Sequence, residues 1–155
     1  MTTNELLRQL RKSCVWIASF AAMFVLMYFT LVMLLKYSLL SFAGLVPDVN
    51  KNLLRLVFYG LSATCAVGLV FYKKRRYSKA KCPVSGDGRA LARHIFNTFV
   101  LATAIAQGPA ICGFFLVFLG ELYFDFYLLS VFSLVLIYTN IPTERFLEKQ
   151  IKNAV

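Results

Sequence analysis

The chain has 155 residues, 59% of them hydrophobic and only 15% charged, with a formal net charge of +10. A soluble domain carries about 25% charged residues, and the deficit here is concentrated in long uncharged runs, so an integral membrane protein is expected and a separate soluble domain is not. The positive charge lies between the apolar runs, where membrane topology accounts for it without nucleic acid as a partner.

The first apolar run covers residues 14–35 and follows Arg8, Arg11 and Lys12. It exceeds the 7–15 residues, roughly, of a signal-peptide core, so it reads as an uncleaved span. The second run, 53–72, follows Asp48 and Asn50, either of which can cap a helix N-terminus. It stops at Lys73, Lys74, Arg75 and Arg76. The third run is 95–119, with its helix starting earlier, around Arg89 to His94. The fourth is 122–141 and ends at Pro142. Each run is long enough to cross about 30 Å of hydrocarbon, and in lipid such runs must be helices. The expected fold is all-α: a single domain, 1–155, of four transmembrane helices in two hairpins.

Lys and Arg set the orientation. They crowd the N-terminal tail, the loop 73–93 and the tail 142–155, whereas the last turn carries only Glu121 and Asp125. Both termini and the basic loop are therefore expected in the cytoplasm, in a plasma membrane (the inner membrane of a bacterium). The tail, with Phe146, Leu147 and Ile151 among charges, reads as a short interfacial helix. Lys73, Lys74, Arg75, Arg76, Lys79 and Lys81 form a patch suited to anionic lipid headgroups or an acidic partner.

Cys14, Cys65, Cys82 and Cys112 form no CxxC pair, and His94 is the single histidine, so neither a metal site nor a cofactor is expected. His94 reads as an interfacial polar residue, and Lys36 and Arg55 read as snorkelling anchors. Glu121 and Asp125 form an external acidic pair on one helix face if the fourth helix starts at Glu121. Acids at a helix N-terminus also have a plain electrostatic reason to be there.

The third run holds the stretch AIAQGPAICGFF. Gln107 falls at its centre, and a buried primary amide needs hydrogen-bond partners. Pro109 cannot donate to the Ile105 carbonyl, which predicts a break or kink that Thr103 could help satisfy. Ala102, Ala106, Ala110 and Gly113 form a small-residue face here, and Gly60, Thr64 and Gly68 form another on the second span. Their spacing predicts a close contact between these two helices.

Residues Ala104 to Phe118, AIAQGPAICGFFLVF, resemble the ion-carrying helix of the rotor-ring c subunits of ATP synthases and vacuolar-type ATPases. Ala106, Ala110, Ile111 and Gly113 match that pattern, with Gln107 where the carrier acid stands. The resemblance implies a packing scaffold without a carrier, because an amide does not exchange a proton as a carboxylate does. The sequence thus points to a non-enzymatic structural or accessory subunit of a membrane complex, partnered by other subunits or by itself. The alternative is a small transporter or channel with a midmembrane polar site around Gln107.

Overall fold

The computed structural model describes residues 3–38, 44–46, 50–77, 88–143 and 146–147. Its elements are α1 (Thr3–Ser38), α2 (Lys51–Arg76), α3 (Gly88–Ala106), α4 (Gly108–Gly120) and α5 (Tyr123–Asn140). All are α-helices, and no strand occurs among the described residues. Among the described residues, four stretches are long and apolar enough to cross a membrane: Arg8–Tyr37, Lys51–Arg76, Ala90–Gly120 and Tyr123–Asn140. The third combines α3 and α4.

The helices run alternately up and down, which gives the bundle two distinct ends. At one end Leu10, Leu91 and Leu147 share a cluster, and the Arg76 carbonyl lies 3.2 Å from His94 Nε2, which donates to it. At the other end the Lys36 ammonium sits 5.5 Å from the Tyr123 ring centre. There the Leu45 N–H also donates to the Phe118 carbonyl at 2.9 Å. We call these the Lys73 end and the Asp125 end. Large apolar side chains such as Trp16, Phe20, Met23, Leu56, Val67 and Phe71 face outward. A surface of this kind suits lipid as the surrounding medium.

Local chemistry sets the helix boundaries. Asn50 caps α2, its Oδ1 accepting from the N–H groups of Asn52 at 3.1 Å and Leu53 at 3.3 Å, as the sequence suggests; Asp48 lies outside the described residues. The last carbonyls of α4 are met from another part of the chain. Leu45 and Val46 donate to Phe118 and Leu119, and Gly44 makes this possible. Its φ is +77°, and a Cβ there would lie 2.8 Å from the Leu119 oxygen, so the position needs a residue without one. Glu121 turns the chain between α4 and α5 in the left-handed region, at φ 61°.

The third span is the centre of the bundle. Half of the residues in its apolar window are buried (50%), against 22% in the first span, 11% in the second and 39% in the fourth. Ala102, Ala106 and Ala110 pack in one cluster with Cys14, Ala18, Ala21 and Val25 of α1. Small residues on both sides let these backbones come close.

Candidate functional site

The break in the third span is one residue long. α3 ends at Ala106 and α4 begins at Gly108, with Gln107 between them still near helical geometry (φ −78°, ψ −16°) and Pro109 in the first turn of α4. Proline removes one donor from the ladder, and the chain responds locally. The Gln107 N–H donates to Ala104, three residues back, at 3.2 Å, and the Ile111 N–H resumes four-residue spacing onto Gln107 at 3.2 Å.

Three other helices close on this break. Gln107 Nε2 donates to the Ala21 carbonyl of α1 at 3.3 Å. Ser133 of α5 donates from Oγ to the Ala106 carbonyl at 2.7 Å. Gly108 lies so near α2 that a Cβ would stand 2.8 Å from Cys65 Sγ. The amide at the middle of the span therefore has a protein partner. Thr103 plays a different part from the one its position suggests. Its Oγ1 is buried without a hydrogen-bond partner among the described residues, as is Ser130 Oγ, so it satisfies none of the groups freed by Pro109.

The two small-residue faces part company. A Cβ at Gly113 would meet Phe126 Cα at 3.1 Å and Leu129 Cβ at 3.2 Å, both in α5, whereas Gly60 and Gly68 have nothing within 4 Å of theirs. Thr64 is exposed and donates back to the Leu61 carbonyl at 2.7 Å. The expected contact between the stripe on α2 and that on the third span is not made. Ala102, Ala106 and Ala110 face α1, Gly113 faces α5, and the α2 stripe faces outward. The physical reason is that α2 approaches the third span with other residues. Ser62 and Leu69 are its buried positions, and Leu54, Phe58 and Tyr59 pack on the cluster of Cys112, Leu116, Leu122 and Leu129.

Charge is organised at the two ends. At the Asp125 end, Asp125 is buried although it is an acid, accepting from Arg55 Nε at 3.0 Å and from the Tyr59 hydroxyl at 2.9 Å. Arg55 is thus an ion-pair partner rather than a free anchor. Glu121 is exposed and lies before α5, which begins at Tyr123. The two acids therefore do not form a pair on one helix face. The signal available in the sequence was the spacing of Arg55 and Tyr59, one turn apart on one face, opposite an acid that needs a partner inside a membrane.

At the Lys73 end, Lys73 Nζ donates to Asn140 Oδ1 at 2.7 Å, and Asn140 Nδ2 donates to the Ala102 carbonyl at 3.4 Å. Asn140 is buried, so a chain of polar contacts ties α2, α5 and α3 together. Beside it lies a pocket of about 220 Å³ lined by Lys73, Tyr77, Thr139, Asn140, Ile141, Pro142, Thr143 and Phe146. Lys74, Arg75 and Arg76 are exposed nearby. Lys79 and Lys81 of the basic patch, Cys82 and most of the tail lie outside the described residues.

No family model, curated protein or solved structure matches this chain. The four apolar helices among the described residues are compatible with a small helical membrane protein.

Proposed function

We propose that this protein is a non-enzymatic structural or accessory subunit of a larger membrane assembly, joined to a neighbouring transmembrane helix through the outward face of α2. The observation that carries this reading is the stripe of Gly60, Thr64 and Gly68. A glycine inside a helix costs about 0.5–1 kcal/mol relative to alanine, and at Gly60 and Gly68 no close contact among the described residues offsets it. Small residues spaced by four give a second helix close backbone approach, the main source of helix association in lipid. The low burial of α2, 11% of its window, leaves that approach open.

The excess of Lys and Arg supports the Lys73 end as the cytoplasmic one in a plasma or bacterial inner membrane. A relative of rotor-ring subunits that keeps the packing and lacks the carrier is compatible with this reading, since Gln107 makes a hydrogen bond to a carbonyl. Extraction into polymer-bounded native discs tests the proposal: the 17.6 kDa chain should emerge in a particle with at least one more protein chain. Recovery as a lone chain would reject it.

The transporter reading has one observation in its favour, the unpartnered buried hydroxyls of Thr103 and Ser130. It requires water to reach them, so a cysteine at Thr103 would react with a membrane-impermeant thiol reagent. Protection of that cysteine is the outcome expected for a structural subunit.

A further inference from the structure

The pocket at the Lys73 end has the makings of a lipid site. Its cation is positioned. Lys73 is partly buried, and its ammonium is held by Asn140, whose own orientation is fixed by the Ala102 carbonyl of α3. An ammonium has three protons. Asn140 takes one, and among the described residues the ammonium makes no second hydrogen bond or ion pair. At the rim, Thr143 is exposed and brings a hydroxyl. The Thr139 hydroxyl proton is already given to the Leu136 carbonyl at 3.1 Å.

The remaining walls are mostly apolar or aromatic. Ile141 and Pro142 form one side, and Phe146 meets Tyr77 edge to face with ring centres 4.9 Å apart. A fixed cation beside an apolar wall, at the end of a membrane-spanning helix, matches an amphiphile with an anionic head. A free phosphate ion would use Lys73 and the Thr143 hydroxyl and leave the apolar wall uncovered. Lys74, Arg75 and Arg76 add positive potential at the same level, which attracts anionic lipid to this end without fixing one molecule. A lysine can also sit at a helix C-terminus simply to complement its dipole, and Lys73 does lie beside the end of α5. That role needs no pocket, and it leaves the apolar wall without a purpose.

We propose that this pocket holds the phosphate headgroup of one anionic phospholipid, with the phosphate on Lys73 and the start of an acyl chain along Ile141, Pro142 and Phe146. The site is independent of the subunit reading, because it needs only the chain and its bilayer.

The test is native mass spectrometry of the full chain released from vesicles of phosphatidylglycerol and phosphatidylcholine. One phosphatidylglycerol should be retained in preference to phosphatidylcholine. Lys73→Met should lower that retention about fivefold or more, whereas Lys74→Met, at an exposed neighbour, should leave it within about twofold. Thr143→Asp places a negative charge at the rim without touching the Lys73–Asn140 contact, and both residues suit a turn before a helix. It should lower retention as Lys73→Met does, and it keeps the proposal testable if Lys73→Met misfolds. Equal losses from Lys73→Met and Lys74→Met would reduce the effect to diffuse surface charge and overturn the site. Displacement of the lipid by excess inorganic phosphate would overturn the lipid assignment, as would full retention in Thr143→Asp.

Discussion

The stripe of Gly60, Thr64 and Gly68 on α2 and that of Ala102, Ala106, Ala110 and Gly113 on the third span look alike in the sequence and meet opposite fates. The second is closed in by α1 and α5, and the first looks out of the bundle. Small size at helical spacing therefore marks where a helix can be approached closely, without saying by what. The third span finds its partners inside the chain because it is central, with small residues of α1 against its alanines and Phe126 and Leu129 of α5 against Gly113. α2 lies at the periphery. It is tied in at its ends, by Arg55 to Asp125 and by Lys73 to Asn140, and in the middle by Cys65 against Gly108.

The contrast can be broken most sharply at Gly113. Leucine there must fit a side chain where even a Cβ stands 3.1 Å from the Phe126 backbone. Overpacking costs about 1–3 kcal/mol and occasionally more, and contact with backbone places Gly113→Leu at the upper end. Thermal unfolding in mild detergent should show a large loss of stability. A smaller effect is expected where α2 is tied at its end. Arg55→Ala leaves the buried Asp125 with Tyr59 alone, and losing a hydrogen bond to a charged group costs about 1.5–3 kcal/mol. The exposed side of Arg55 brings this toward the lower figure. The same detergent assay should read it, and Asp125→Asn combined with Arg55→Ala should recover part of the loss. The smallest effect, and one of opposite sign, belongs to Gly60. In the isolated chain Gly60→Leu meets open space and gains helix propensity of up to about 1 kcal/mol, so its stability should hold or rise. The same substitution should weaken recovery of the assembly from native membrane.

The sequence made the four spans and the cap at Asn50 legible because length, apolarity and capping are local properties. It located the break near Gln107 for the same reason, since Pro109 disrupts its own helix whatever surrounds it. What it could not supply was the pairing of faces. Gly113 meets α5 rather than α2, and the partner of the small face is the Cys14–Ala18–Ala21 side of α1, which carries no glycine to advertise it. The ion pair of Arg55 with Asp125 was hidden because each residue had an adequate local explanation, as an anchor and as an N-terminal acid. Asn140 carries no distinctive local signal at the end of the last span, yet it joins three helices. Leu45 and Val46, which cap α4 from the connection between α1 and α2, depend on a long-range approach that no local pattern encodes.

On the proposed reading, the outward face of α2 is covered by another protein helix in the native membrane. A photo-reactive amino acid at Thr64, with a control at the outward-facing Phe20 of α1, puts this to a direct test. Irradiation of intact membranes should give protein-to-protein adducts at Thr64 and lipid adducts at Phe20. Lipid adducts alone at both positions would contradict it.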